Sequence, residues 1–388
     1  MTQGLTTQGL QPDGTTLERA AGLARIKAPV SIANGGTAAT TAAGARAALL
    51  IPNRNLLING CMRVSQRGTT FNATTVPLNS DDTFLLDRWN LLSDGNDIVD
   101  VTQDTTVGDL PTGAAACIRL DVETANKEFG MANYLEYKDA RAIIGGNVSL
   151  SFKALASNAR IGTIRAAILS WSSTADTLTS DFVSAWNAGA NITPIANWTI
   201  EGSAQFSPTT SWATYKLENV AIDTASTANV AVFIWCDDET NNVGDFLYIT
   251  DVQLEKSAVA TDFENRHFEA ELAKCQRYYN KYKSPGNGER VRMGFGMATD
   301  TKTMGVWFPF PCEMRDDPTL GYSAVGDWII YDGTNLNVCN TLVLGKDDHK
   351  IAYITAHTNA ATAFAIRDCV FVISATVGTE WMDFSSEL

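Results

Sequence analysis

Between about residues 54 and 264 the chain is a series of short segments in which apolar and polar residues alternate, cut by Gly, Asn, Asp and Ser. DFLYITDVQLEK shows the alternation well: Phe246, Tyr248, Val252 and Leu254 fall on one face, and Asp251, Gln253 and Glu255 on the other. A period of two is that of a strand half-buried on a sheet. NVSLSFKALA, GTIRAAILSW, WATYKLENVAI and NVAVFIWCDD repeat the signal. With no helical pattern between them, these strands predict a two-sheet β-sandwich.

The period changes after Asn265. Phe268, Leu272, Cys275, Tyr279 and Tyr282 are spaced 4, 3, 4, 3, which predicts a connecting helix over 265–285, capped by Asn265 and stopped by Ser284-Pro285-Gly286. Its apolar seam is too short for an independent coiled coil, so the expectation is a homotrimer in which three copies meet along that seam between two β domains. Cys275, between Lys274 and Arg277, could be an activated thiol, but its place on the seam reads as packing. Strands return over 286–388 in RVRMGFGMAT, TMGVWFPFP, DWIIYDG, HKIAYITAH and DCVFVISATV, enough for a second β-sandwich. At the other end, residues 1–53 are poor in aromatics, and Thr37 to Leu50 is almost wholly Ala, Thr and Gly. That stretch cannot hold a core of its own; it reads as an extended, Ala-rich attachment segment ordered by sister chains or a docking partner, or as a flexible linker.

Composition narrows the function. A net charge of −14 without a basic stripe argues against nucleic acid as a partner. No run of apolar residues is long enough to span a membrane, and the N-terminus lacks a signal-peptide pattern. The seven cysteines (61, 117, 236, 275, 312, 339, 369) are scattered, as in a protein made in a reducing compartment.

Four stretches carry a resemblance that spans nearly the whole chain. SIANGGTAATTAAGARAAL is similar to a Gly/Ala/Thr segment of bacteriophage tail fibres. NLLINGCMRVSQRGTTF followed by DRWNLLS resembles the opening of their jelly-roll module. DFLYITDVQLEKSAVATDFENRHFEAELAKCQRYYNKY resembles its closing strand and helix. FPCEMRDDPTL and the terminal FSSEL are similar to the adjoining C-terminal domain. Ala38, Ser257 and Asp262 depart from the family pattern. The resemblance implies a trimeric phage receptor-binding or virion fibre protein with a carbohydrate-binding-like jelly roll. It would join other virion proteins through its N-terminus and adhere to host-surface glycan. A purely architectural capsid fibre or tail adaptor, and a polysaccharide depolymerase, remain as alternatives.

Candidate chemistry is sparse. The three histidines, His267, His349 and His357, lack zinc spacing, and no H-E-x-x-H, G-x-S-x-G or phosphate loop occurs. The acids Asp81, Asp82 and Asp87, and Asp237, Asp238 and Glu239, read as solvated loops rather than a glycosidase pair, so no catalytic residue is assigned. Asp94, Asn96, Asp97 and Asp100 in SDGNDIVD offer oxygens that suit calcium but not EF-hand spacing; no other cofactor is expected. For glycan, whose rings stack on aromatics, the candidates are Trp186 and Trp198 in a turn-rich stretch, and Trp328, Tyr331 and Asp332 in another. Trp89, Trp212 and Trp235 read as core.

Overall fold

The computed structural model describes residues 53–388 apart from 238–239, 285–289, 291, 346–348, 361–363, 375–377 and 379. It also describes the antiparallel backbone pair Leu17–Ala20 and Leu23–Ile26, and residues 36, 37 and 45. The attachment segment expected over 1–53 therefore lies almost wholly outside the described residues, as do Asp238 and Glu239.

The first domain is the expected sandwich. One six-stranded sheet runs, in spatial order, Ala213–Ala221, Asn147–Ala156, Phe246–Glu255, Cys117–Val122, Val99–Asp104 and Thr70–Phe71. The other runs Trp198–Phe206, Ile164–Trp171, Asn229–Cys236, Phe129–Leu135, Asn90–Ser93 and Thr83–Phe84. From Cys117 onward the chain crosses from sheet to sheet at every step but one, Ile164–Trp171 to Trp198–Phe206, so that paired strands occupy equivalent places in the two layers, which is the connectivity of a jelly roll. The inward side chains, among them Trp89, Phe129, Phe152, Ile168, Ile234 and Leu254, form one continuous core. The outer face of the second sheet is roofed by residues 172–197, beneath which Tyr134, Trp171, Phe182, Trp198, Phe233 and Trp235 make a second apolar cluster. Among the described residues, the outer face of the first sheet has no comparable insertion between its strands, although the loop carrying Asp109 and Ala116 packs over part of it.

One detail of the alternation is corrected. Leu247 and Ile249 point into the core, together with Val252 and Leu254, whereas Phe246 and Tyr248 point outward. Pairing with the neighbouring strand slips between Thr250 and Gln253, and Asp251 adopts φ 52°. This is a β-bulge; one extra residue exchanges the two faces, which strict period-two reading cannot see.

The connecting helix and the second sandwich are also corrected. The helix covers only Phe268–Gln276, and Tyr279–Lys283 is a strand paired with Trp381–Ser385, which pairs in turn with Thr319–Tyr322. The rest of the C-terminal unit is a closed six-stranded barrel, not a sandwich, in the order Arg292–Ala298, Thr303–Pro309, Ile351–Thr358, Leu336–Leu344, Trp328–Tyr331 and Cys369–Ser374. The expected seam thus dissolves. Phe268 is exposed, Leu272 half-buried, and Cys275 and Tyr279 are buried inside their own chain. Tyr282 faces Phe308 and Phe384 of its own C-terminal unit. An amphipathic strand after a short helix kept the 4, 3, 4, 3 spacing by coincidence.

The motifs that carried the resemblance instead meet at the junction of the two units. Asn59 adopts φ 58°, its N–H donates to Glu271 (2.7 Å), and its side-chain amide donates to the carbonyls of Val64 (2.8 Å) and Asp87 (3.0 Å). Trp89 Nε1 donates to the Asn59 carbonyl (2.9 Å). Gln66 donates to the buried Asp87 through both N–H and Nε2 (2.6 Å each), and Nε2 also reaches the Tyr279 carbonyl (2.7 Å). Arg67 lies over the Tyr279 ring at 3.6 Å and Arg88 over Tyr278 at 3.7 Å. Both guanidiniums converge on Glu387, next to the C-terminus. Arg315 closes the knot by donating to the carbonyls of Ser386 (2.7 Å) and Glu387 (3.0 Å). Buried charges survive only when paired and hydrogen-bonded, so this cluster fixes the two units in one register.

Candidate functional site

The outer face of the first sheet carries a cleft. One end, about 260 Å³, lies among Ser151, Lys153, Lys216, Asp251 and Asp262. It continues into a space of about 390 Å³ between Leu110, Pro111 and Thr112 of one loop and Trp212 at the start of a strand. Thr112, Lys153 and Thr214 belong to both ends, so this is one groove.

Register builds its floor. Lys153 pairs with Thr214 on one side and Thr250 on the other, placing its ammonium on the outward face, 2.8 Å from Asp251 Oδ2. The bulge puts Asp251 there as well. Its Oδ1 is buried beneath the groove and has no hydrogen-bond partner among the described residues. Such an atom costs about 1–3 kcal/mol unless something donates to it.

The aromatic wall continues along the same face. Trp212 is half-buried, stacks on Tyr248 with ring centres 5.8 Å apart and planes 26° apart, and donates through Nε1 to the Asp109 carbonyl (2.8 Å). Tyr248 donates to Asp104 (3.1 Å); burial, with Asp104 adding, pushes its phenol up to about 12. Although burial opposes it, hydrogen bonds from Thr106 and Tyr248 hold Asp104 below the usual carboxylate range. Arg119 lies 4.4 Å over the Phe246 ring and grips Asp121 (2.6 Å). Of these groups only Trp212 lines the groove; Tyr248, Phe246 and Arg119 back it along the same sheet face.

Most residues chosen from the sequence lie elsewhere. Trp198 is buried between Trp171, Phe182 and Tyr134, and Trp328 is fully buried in the barrel core; neither can receive a ligand. A turn-rich sequence context signalled the loops around them but not the direction of their side chains. Trp186 is half-buried against Phe233 in the roof of the other sheet. Tyr331 donates to the Gly333 carbonyl, and Asp332 is spent on the backbone N–H groups of Thr334 (2.8 Å) and Asn335 (2.6 Å), a turn lock. Trp89 and Trp235 are core as expected, but Trp212 is not.

Of the calcium candidates, Asp97 and Asp100 meet at the Asn79 amide, while Asp94 and Asn96 have other partners. Asp94 pairs with Lys127 (2.6 Å), Asn96 accepts from the Asp81 N–H (3.2 Å), and Asp97 and Asp100 accept from Asn79 (2.9 and 3.1 Å). Among the described residues no group of three or more His, Cys, Asp or Glu is arranged to hold a metal. His267 sits at the helix start without a capping bond, while His349 meets Asp317 (3.2 Å) and His357 meets Asn340 (2.8 Å) in separate places. Burial, with Asp87 and Glu271 adding, pushes the Cys275 thiol well above its ordinary value; no nucleophile is made there.

No protein-family profile matches the chain, and no curated protein matches it. Among solved structures it is similar to TmCBM61 in complex with β-1,4-galactotriose, at 14% identity over 53% of this chain and 100% of that chain, with a TM-score of 0.30. It is similar also to the enzymatically active domain of tailspike protein 4 from bacteriophage CBA120, at 17% identity over 52% of this chain and 21% of that chain, TM-score 0.30. A third is the C-terminal family 22 carbohydrate-binding module of Clostridium thermocellum Xyn10B, at 11% identity over 47% of this chain and 94% of that chain, TM-score 0.29. At scores this low the assignment of the sandwich rests on its own strand order.

Proposed function

We propose that the chain is a non-enzymatic adhesion component of a phage virion fibre, binding host-surface glycan in the groove on the outer face of its jelly roll. One observation carries the reading: Trp212, stacked on Tyr248, borders a groove that is also lined by Lys153, Lys216, Asp251 and Asp262. A sugar ring presents an apolar face to an aromatic and hydroxyls to charged side chains, and the groove offers both within one space. The virion setting, attachment through the N-terminus and a homotrimeric state are supported by the resemblance of four motifs to tail fibres. Several weak sites on one particle would then raise the effective concentration.

A glycan array with the full-length chain tests this reading. Binding that Trp212→Ala removes supports it. No binding by any oligomer favours the architectural role, and release of reducing sugar from a bound polysaccharide favours a depolymerase. Light scattering tests the trimer, since a monomeric mass overturns that part alone.

A further inference from the structure

We infer that the cavity at the junction of the jelly roll and the C-terminal unit is a second binding site, for a single uncharged hexose-type ring. It is an open pocket of about 260 Å³, and its walls come from both units: Arg67 and Phe84 from the jelly roll, and Tyr279, Lys281, Trp381 and Asp383 from the three-stranded sheet. Junctions between folded units are common places for small-molecule sites, and this volume lies below that of sites for larger ligands. One ring fits where an oligosaccharide does not.

The chemistry of the walls selects an uncharged ligand. Arg67 and Lys281 are balanced by Asp383 and Glu387, so an anion would meet two carboxylates and a cation two bases. Lys281 spends one N–H on the Arg67 carbonyl (2.8 Å) and holds its ammonium 4.9 Å from the Trp381 ring centre, next to the cavity. Asp383 accepts the Tyr279 hydroxyl through Oδ2 (2.7 Å). Its Oδ1 lies beside Gly321, where a Cβ would come within 2.4 Å, so only glycine fits against the carboxylate. Arg67 Nη1 is buried without a hydrogen-bond partner among the described residues. A donor, an acceptor and a half-buried indole around one ring-sized space suit adjacent hydroxyls and an apolar ring face.

This site does not depend on the groove, and the test separates the two. Full-length protein labelled with 5-fluorotryptophan gives one fluorine signal for each of nine tryptophans, and Trp381→Phe identifies that of Trp381. Methyl glycosides of glucose, galactose, mannose and N-acetylglucosamine are titrated singly. The expected result is a saturable shift of the Trp381 signal by at least one of them, unchanged in Trp212→Ala and weakened about tenfold in Lys281→Met, with the melting temperature of Lys281→Met preserved. No shift with any glycoside up to about 100 mM, well into the weak-binding range, overturns the inference. A shift abolished by Trp212→Ala, or indifferent to Lys281→Met, overturns it equally.

Discussion

The junction can be challenged through one side chain. Glu387, almost fully buried, is the only carboxylate paired with Arg67 and Arg88 among the described residues, and the Arg88 side chain is 1% exposed. Arg88 donates its other terminal nitrogen to the Tyr134 carbonyl (2.7 Å), so it cannot swing out to solvent without breaking the jelly-roll core. Burial alone would weaken its charge, yet the Glu387 carboxylate keeps it fully protonated. Glu387→Gln keeps the shape and removes the charge, leaving two buried guanidiniums facing one neutral amide. Removing one partner of a buried ion pair costs about 3–5 kcal/mol. For a chain of this size that corresponds to a fall in melting temperature on the order of 5 °C, read by calorimetry at neutral pH. The C-terminal strand Trp381–Ser385 should also become an early site of proteolysis, because it is anchored beside the lost pair. A fall of less than about 2 °C would show that the cluster contributes little and that other junction contacts, such as Gln66 to the Tyr279 carbonyl and Arg277 to Glu136, hold the units.

Three further outcomes are expected. Cys275 should resist iodoacetamide in the folded protein while the exposed Cys369 reacts; alkylation of Cys275 before unfolding, seen by peptide mass, would refute its burial. Burial, then Glu123, Asp97 and Asp121, raise the Asp100 carboxyl to about 6, so the folded state binds its proton more tightly than the unfolded chain does. Its stabilising contribution is present below the ordinary carboxylate range and lost as pH rises through about 4 to 6, so Asp100→Asn should stabilise by about 1 kcal/mol at pH 7, after allowing for solvent screening, and by almost nothing at pH 4. Equal effects at both pH values in urea unfolding would sink that reasoning. At Gly60 an added Cβ would lie 2.0 Å from the Val252 carbonyl oxygen, so Gly60→Ala should cost several kcal/mol or leave the protein insoluble, whereas near-native melting would contradict the close approach.

Period-two alternation made the sandwich legible, because half-buried strands must place every second side chain in the core. It failed at Asp251, where one extra residue exchanges faces, and that failure hid the groove: the bulge is what brings Asp251 beside Lys153. Trp212 was missed for a related reason. It precedes the strand Ala213–Ala221, and its orientation depends on the loop carrying Asp109, more than a hundred residues earlier. Trp198 and Trp328 misled in the opposite sense, since a polar neighbourhood in sequence coincided with a buried position in space. The helix was read too long because Tyr279 and Tyr282 fit a heptad by spacing, while pairing with Trp381–Ser385, far along the chain, decided for a strand. The motifs NLLING, QRG, DRW, CQRYY and FSSEL pointed to a family, yet their physical meaning, a single buried knot, emerges only when Asn59, Gln66, Arg88 and Glu387 are seen together.

The most direct test of glycan adhesion through the jelly-roll face is titration calorimetry of the best array ligand against the wild type and Trp212→Ala. Trp212 packs on Tyr248 at the groove edge, so in a Trp212→Ala protein shown to be folded binding should weaken about tenfold or more. Full affinity retained by a folded Trp212→Ala protein would place the glycan elsewhere and contradict the account.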